Sequence, residues 1–288
     1  MKTEIIEHRD IDIGRYDECI RRSEAGTVYA MSWYLDIVSP DWSLIMAKDY
    51  DFVMPLPIKT KFGIKYIIQP YFCQQLGVFA KTNLNEEVFD SFMKALPYKY
   101  TNIQLNTSNK IRPNAKKLRP NYVLKLGRDI EEIQSSCKKN CIRNIKKAKT
   151  FEQRIEETDA EAYIKFISKN ASDILNMEML QLLNELIDRS LENNAGKVLT
   201  VMCGGLVVAA VFIVFFKSKI YYLTPVSSPE GKQMQSMSLL IYHLIEKYCQ
   251  KFEYLDFEGS AIKGVANFYA GFGAVPEYYP LLKKVKVF

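Results

Sequence analysis

Two carboxylates near the end of the sequence have a spacing that suits acid–base chemistry. Asp256 and Glu258 stand two positions apart in a segment of alternating apolar and polar residues, 254–258. Such alternation predicts a β-strand, and residues two apart on a strand point to the same face. A carboxylate beside a reacting amine can take up its proton, which makes this pair a candidate general base. An ordinary polar strand face, or a cap for the following helix, is the alternative interpretation.

A dense cluster of basic residues marks a second candidate site. Six Lys or Arg side chains fall within the twelve positions 138–149, in a segment that predicts a helix. Cations at this density can bind several phosphates, and a solvated basic face is the alternative. Phe151 is the first aromatic residue after this run, so a base-stacking surface is not indicated. The residues that we predict to contact phosphate are Lys138, Lys139, Arg143, Lys146 and Lys147.

The composition fits a chain with two ordinary domains. The chain has 288 residues, of which 48% are hydrophobic and 25% are charged, enough for one large core or two smaller ones. Its net charge of +6 favours anionic ligands such as phosphates, nucleotides or RNA without requiring them. Six scattered cysteines are too sparse for a disulfide scaffold and indicate reduced thiols. With two histidines in the chain, no zinc-binding set is complete, and we expect no metal.

One apolar segment tests whether the chain crosses a membrane. Residues 1–10 lack the apolar run of a signal peptide, which predicts a cytoplasmic protein. Residues 198–216 contain no charged side chain and are long enough to span a bilayer as a helix. They are rich in Val, Ile and Phe, and Gly204-Gly205 supplies a two-residue hairpin turn. We therefore predict two buried strands here and no membrane span.

The two halves of the sequence repeat one pattern. Residues 44–68 and 198–223 each predict a three-strand meander, and the offset between the halves is the same at the first and third strands. A chance alignment of short apolar strands is the alternative. Further matches in the same order join 12–20 with 159–167, 100–108 with 252–260, and 120–122 with 276–278.

The repeat gives its two copies different chemistry. Asp256 and Glu258 correspond to Gln104 and Asn106, which are amides that cannot take up a proton at neutral pH. Neutral side chains in one copy and acids in the other predict that only the second copy is catalytic.

Each half predicts the same order of elements: a strand, one or two helices, the meander, a helix, an alternating strand, a helical stretch and a last strand. This mixture indicates an α/β or α+β fold, with a mixed sheet flanked by helices in each half. We place the first, non-catalytic unit at residues 1–127 and the second, which the basic helix opens, at residues 128–288. Apolar residues at helical spacing predict the helix after the second meander at residues 234–250, and residues 85–96 are its partner.

This order of elements resembles the fold of the GNAT acyltransferases, and tandem GNAT-like units in one chain are the hallmark of the Fem-type transferases. Residues 137–149 are similar to the basic helix that opens the second unit in that family. Residues 254–260 and 267–274 are similar to its D-x-G-G strand and its F-K-x-x-F-G segment. The sequence departs from the Fem-type pattern at Ala270, where lysine is usual. Of the donor loop of acetyl-CoA-dependent GNAT enzymes it keeps only Gly231, and Fem-type proteins generally lack that loop too.

The resemblance implies an N-acyltransferase that moves an acyl group from acyl-CoA, or an aminoacyl group from aminoacyl-tRNA, to an amine. A small molecule or a peptidoglycan precursor would supply that amine. The resemblance favours Tyr269 as a catalytic proton donor among the 18 tyrosines. Gln235 or Ser236 is expected to cap the helix after the donor loop, which would leave its amides for a phosphate. The donor-binding residues expected on this basis are Thr224, Pro225, Val226, Gly231, Lys232, Gln233, Gln235 and Ser236.

Two other functions are compatible with the same residues. A non-catalytic module with the GNAT fold would use the cleft to bind a nucleotide or a peptide, and the incomplete donor loop favours it. A nucleic-acid regulator would use the basic helix at residues 138–149. The sequence has no long heptad insertion like the coiled-coil arm of some Fem-type members, which slightly disfavours a tRNA donor.

Overall fold

The computed structural model describes residues 1–109, 118–259 and 262–285. The chain divides into two compact units, one made of residues 1–120 with 278–288 and the other of residues 121–277. The functional division at residues 127 and 128 stays a prediction. Both units combine sheets with helices, which confirms the α/β (α+β) fold class.

The strands and helices follow each other in a mixed order along the chain. The strands are β1 Glu4–Ile6, β2 Ser43–Ala47, β3 Phe52–Leu56, β4 Ile58–Lys61, β5 Ile64–Ile68, β6 Phe79–Ala80, β7 Tyr100–Gln104, β8 Leu118–Lys125, β9 Gln153–Thr158, β10 Gly196–Cys203, β11 Leu206–Phe216, β12 Lys219–Ser227, β13 Tyr254–Asp256 and β14 Val275–Val285. The helices are α1 Ile13–Arg22, α2 Ser32–Val38, α3 Glu86–Ala95, α4 Ile130–Ser136, α5 Lys139–Ala148, α6 Ala160–Asn170, α7 Met177–Glu192, α8 Pro229–Gln233, α9 Ser236–Tyr248 and α10 Lys263–Gly271.

In the first unit, the strands lie in two sets, in the orders β1-β2-β3-β6 and β4-β5-β7-β14. β2 and β3 pair in antiparallel fashion, as the meander predicts, but β5 pairs with β4 and β7 instead of β3. The prediction of a continuous three-strand meander is therefore wrong in this half. Pro57 stands between β3 and β4, and because proline has no N–H to donate, it interrupts the strand where the chain passes from one set to the other.

In the second unit, the strand order is β8-β13-β12-β11-β10-β9. β10 to β12 form the predicted antiparallel meander, and β9 pairs with β10 in antiparallel fashion. β12 and β13 pair in parallel, so this sheet is mixed as predicted. Ala209, Val211 and Ile213 of β11 share a core with residues of α5, α9 and α10. α6 and α7 also pack against this meander.

The charge-free segment forms two strands. β10 and β11 cover residues 198–216 and pair with each other, and Gly204 and Gly205 join them with φ values of 56° and 78°. Positive φ at both turn residues is the geometry of a type I′ hairpin, which confirms the prediction. None of the helices in the described part of the chain has both the length and the apolar composition that crossing a bilayer requires.

Side-chain caps begin three of the predicted helices. Asp12 accepts a hydrogen bond from a backbone N–H in the first turn of α1, and Asp159 does the same for α6. Asn85 caps α3 in this way. These caps satisfy amides that a helix cannot pair internally, and they confirm helices at the expected positions.

Candidate functional site

The strands β12 and β13 separate at one point in the second unit. Their parallel pairing joins Lys219 with Tyr254 and, within the described residues, ends where Tyr221 pairs with Asp256. β12 continues to Ser227 while β13 stops. The backbone of β12 beyond Tyr221 therefore forms an edge at which an extended ligand can pair.

A β-bulge shapes this edge. Phe212 pairs with Leu223 and Ala210 pairs with Val226, so β12 carries one more residue than β11 between these pairs. Thr224 lies in the bulge with φ of 45°, a conformation that L-residues rarely adopt.

A buried tyrosine supports the bulge from α6. The Tyr163 hydroxyl donates a hydrogen bond to the Thr224 carbonyl oxygen at 2.6 Å and lies 2.7 Å from the Thr224 hydroxyl. Burial raises the pKa of Tyr163, so its hydroxyl stays protonated and available as a donor. Thr224, which we predicted to bind the acyl donor, is thus held in place by a side chain from α6.

The loop after β12 is fixed by a close helix–strand contact. Ser228 accepts a hydrogen bond from the Gly231 N–H at 3.1 Å and so caps α8. A Cβ atom at Gly231 would lie 2.0 Å from the Val208 carbonyl oxygen. Gly231 is therefore required for the packing of α8 on β11, and its predicted contact with a donor stays a prediction.

The start of α9 has no side-chain cap among the described residues. Gln235 occupies the N-cap position with φ of 60°, and its side-chain amide donates to the Lys232 carbonyl at 3.1 Å. The Ser236 hydroxyl is buried and bonded to the Gln153 side chain. The expectation that Gln235 or Ser236 caps this helix is therefore wrong, because both side chains are engaged elsewhere. The helix start keeps a partial positive charge with its first amides uncapped by side chains.

The basic helix lies beside this helix start. α5 occupies Lys139–Ala148, close to the predicted bounds, and buries Cys141, Ile145 and Ala148. Gln153 joins the two helices, because its side-chain amide donates to the Ala148 carbonyl of α5 at 2.9 Å and its side-chain oxygen accepts a hydrogen bond from the Ser236 hydroxyl of α9. The predicted phosphate contacts Lys138, Lys139, Arg143, Lys146 and Lys147 are all exposed.

The two acids are close together, but they do not share a strand face. β13 ends at Asp256, and Glu258 follows in a left-handed conformation with φ of 55°. The Asp256 carboxylate accepts hydrogen bonds from the Glu258 N–H at 2.9 Å and from the Asn121 side chain at 3.0 Å. The prediction of two acids alternating along one strand is therefore wrong, because this side-chain-to-backbone bond turns the chain.

The environments of the two acids differ. Asp256 is 4% exposed, and burial raises its pKa, opposed by the positive charge of Lys219. Glu258 is half-buried. Because both Asp256 oxygens already accept hydrogen bonds, Glu258 is the more accessible carboxylate.

Tyr269 belongs to the same cluster. It lies on α10, and its ring stacks on Phe257 with 4.5 Å between the ring centroids and 9° between the planes. Burial raises the pKa of Tyr269, and the charge of Glu258 adds to this effect. A tyrosine with a raised pKa stays protonated at neutral pH, so its hydroxyl is available as a hydrogen-bond donor. The structure thus brings Asp256, Glu258 and Tyr269 together, whereas Ser260 of the same motif lies outside the described residues.

Three supporting residues were missed in the sequence. Asn121 holds Asp256, Tyr163 holds the bulge, and Gln153 joins α5 to α9. Asn121 and Tyr163 fall in segments that the repeat had marked, residues 120–122 and 159–167. Their roles depend on contacts between residues far apart in the chain, which no local pattern indicates.

The amides that correspond to the acids in the first unit have structural contacts. Gln104 accepts a hydrogen bond from the Tyr279 hydroxyl at 2.7 Å. The buried Asn106 side chain donates to the Val78 carbonyl at 3.0 Å. That the first unit is non-catalytic stays a prediction.

Comparisons with known proteins agree with this fold. Residues 135–268 match the family model for the acetyltransferase (GNAT) domain. The fold is similar to FemX, with a TM-score of 0.69 and 12% identity over 98% of both chains. It is also similar to a tandem GNAT protein from the clavulanic acid biosynthesis pathway, with a TM-score of 0.61 and 8% identity over 98% of both chains. L-PGS from Bacillus licheniformis has a TM-score of 0.52 and 9% identity, over 96% of this chain and 92% of that one.

A search of curated protein sequences gave no match. The family match and the fold agree with the resemblance seen in the sequence. The protein is therefore an acyltransferase, with a GNAT domain at residues 135–268 in a chain that has a FemX-like tandem GNAT fold.

Proposed function

We propose that the second unit transfers an acyl or aminoacyl group from an activated donor to an amine, with the donor bound along the free edge of β12. The observation that carries this proposal is the separation of β12 and β13 after Tyr221 and Asp256. An extended donor arm at this edge would bond to the β12 backbone as a neighbouring strand does. Its carbonyl would then lie near Asp256, Glu258 and Tyr269, where β13 ends.

The positive charge of α5 supports a donor with several phosphates. Lys139, Arg143 and Lys147 follow each other at four-residue intervals, so they line one side of the helix over about 12 Å. A single pyrophosphate is shorter than this row, whereas an RNA strand presents phosphates in succession. The uncapped amides of α9 add a further anion site beside it. We therefore propose aminoacyl-tRNA as the donor, with acyl-CoA as the competing candidate.

We assign Glu258 as the general base and Tyr269 as the proton donor. The amine nitrogen forms a bond to the donor carbonyl carbon while Glu258 takes up a proton from that nitrogen. The bond from the carbonyl carbon to the leaving oxygen or sulfur breaks, and Tyr269 gives that atom a proton. The proton on Glu258 then returns to Tyr269 through solvent, and the product is an amide. Asp256 is a positioning residue, because it holds the Glu258 backbone by a hydrogen bond of 2.9 Å.

A transfer assay with labelled donors tests the activity. Purified protein is incubated with aminoacyl-tRNA or acetyl-CoA and with a set of amines that includes a peptidoglycan precursor. We expect product from aminoacyl-tRNA, and we expect Glu258→Gln to lower kcat by about 10²–10⁴-fold. Glu161→Gln, which changes an exposed acid on α6, is the matched control and should leave kcat unchanged.

The outcomes separate the candidate functions. Product from acetyl-CoA alone would reject the tRNA donor and keep acyl transfer. Binding of either donor without product, in wild-type protein and in the Glu258 variant alike, would reject the enzyme and support the non-catalytic binding module.

The role of the basic helix has its own test. Replacing Lys139, Arg143 and Lys147 together by Ala should raise KM for aminoacyl-tRNA and flatten its dependence on salt, because fewer counterions are released on binding. The slope of log affinity against log salt should fall by about two to three. Lys165 and Lys251 are exposed cations elsewhere in the unit, and their replacement by Ala is the control. An unchanged slope in the triple variant would show that α5 does not bind the donor.

A further inference from the structure

A short β-hairpin in the first unit extends into solvent. β4 and β5 pair from Ile58 with Ile67 to Lys61 with Ile64, and Phe62 and Gly63 form the turn between them. Their φ values of 51° and 73° are those of a type I′ turn. Every residue from 59 to 65 is exposed, so this hairpin tip contributes no side chain to the core.

The residue at the first turn position is unusual for its conformation. Type I′ turns favour Asn or Asp followed by Gly, because most side chains are strained when φ is positive. Here Phe62 adopts that conformation with 92% of its surface exposed, and the neighbouring Ile64 is 69% exposed. Neither packing nor turn stability accounts for a large apolar side chain at this position. A contact that the hairpin makes with a partner would account for it.

The charge around the tip identifies the class of partner. Lys59, Lys61 and Lys65 surround the two apolar side chains, and residues 52–85 contain no Asp or Glu. The Lys61 ammonium lies 5.6 Å from the centroid of the Phe62 ring. The tip therefore presents apolar side chains within a positively charged rim, which complements an apolar layer behind a negatively charged surface.

We propose that the β4–β5 hairpin docks this protein on the surface of a bilayer that contains anionic phospholipids. Phe62 and Ile64 enter the boundary between the headgroups and the acyl chains, and the three lysines bind lipid phosphates. A nucleic acid is less well matched, because stacking on bases uses aromatic faces and Ile64 has none. Lysines on an edge strand also prevent aggregation, but that role does not explain an exposed Phe62.

Vesicle flotation tests the docking directly. The full chain is mixed with vesicles of phosphatidylcholine alone or with about one third phosphatidylglycerol, and the bound fraction gives the partition coefficient. We expect binding to the anionic vesicles that weakens with salt. Phe62→Asn should lower the partition coefficient about tenfold, because it removes the buried apolar surface. It should not unfold the protein, since Asn-Gly is a favoured type I′ pair.

Four further variants make the result specific. Each of Lys59, Lys61 and Lys65 changed to Gln should weaken binding to anionic vesicles about fivefold. Phe62→Trp should retain binding, and its fluorescence should shift to shorter wavelength when anionic vesicles are added. The transfer activity on soluble substrates should stay unchanged in all of these variants, so docking and catalysis are tested separately.

Three results would overturn the proposal. Wild-type protein that does not float with anionic vesicles is one, and flotation unaffected by Phe62→Asn is another. The third is tRNA binding that depends on Phe62 in the absence of vesicle binding, which would assign the hairpin to a nucleic acid instead.

Discussion

Replacement of Asp256 tests the geometry that positions Glu258. The Asp256 carboxylate accepts one hydrogen bond from Asn121 and one from the Glu258 N–H, at 3.0 and 2.9 Å. Alanine would leave both donors without an acceptor in a buried setting, and each such group costs about 1–3 kcal/mol. We therefore expect Asp256→Ala to lower the free energy of unfolding by about 2–6 kcal/mol. Asp256→Asn keeps an acceptor for the Glu258 N–H and should cost less.

The pH dependence of stability gives an independent check on Asp256. Burial raises the pKa of its carboxyl in the folded protein above the ordinary value of 3.8. The folded state therefore binds the proton more tightly, so this group's stabilising contribution is fully present below the unfolded-state pKa. The contribution is lost as the pH rises through the higher folded-state pKa. Wild-type protein should gain stability relative to Asp256→Asn as the pH is lowered through this range.

Urea unfolding and transfer kinetics together decide the role of Asp256. Unfolding curves for wild type, Asp256→Ala and Asp256→Asn give the stabilities, and kcat is measured beside Glu258→Gln at a pH where each variant is folded. A loss below about 1 kcal/mol in Asp256→Ala would refute the two hydrogen bonds. A loss of kcat in Asp256→Asn as large as in Glu258→Gln would refute the assignment of Glu258 as the base.

Three smaller predictions concern the elements that hold the site. Gly231→Ala places a methyl group 2.0 Å from the Val208 carbonyl oxygen and should destabilise the protein by at least about 1–3 kcal/mol in thermal or urea unfolding. Tyr163→Phe removes the hydrogen bond to Thr224 and should cost about 1–2 kcal/mol and raise KM for the donor, whereas an unchanged KM would show that the bulge does not affect donor binding. Asp159→Ala removes the cap of α6 and should cost about 1 kcal/mol in urea unfolding without changing kcat.

Local sequence patterns predicted the elements of the second unit well. Gly204 and Gly205 can adopt positive φ without strain, so the β10–β11 hairpin is specified within residues 198–216. The basic helix and the Asp159 cap are equally local, because helical spacing and a capping residue act over a few positions. These features need no knowledge of distant parts of the chain.

The details of the site depend on contacts that are not local. Alternation of residue types placed Glu258 on a strand, but the Asp256 side chain bonds to the Glu258 N–H and ends the strand. Asn121, which completes this arrangement, is 135 residues away from Asp256 in the sequence. The pairing of Leu281 with Gln104 is similarly remote, and a short strand carries no mark of its distant partner.

The extra residue in β12 changes how positions along this strand are to be counted. In a regular strand, Tyr222, Thr224 and Val226 would face the same side of the sheet. The bulge at Thr224 interrupts that alternation. An even or odd spacing in the sequence therefore does not tell whether a residue after the bulge faces the same side as one before it. Deleting one residue at the bulge would restore a regular ladder with Val226 still opposite Ala210, so the later residues would keep their faces while the bend at Thr224 would be lost. Engineering of donor preference in this protein must therefore assign each β12 position from its partner in β11, since spacing in the sequence across Thr224 puts every later side chain on the wrong face.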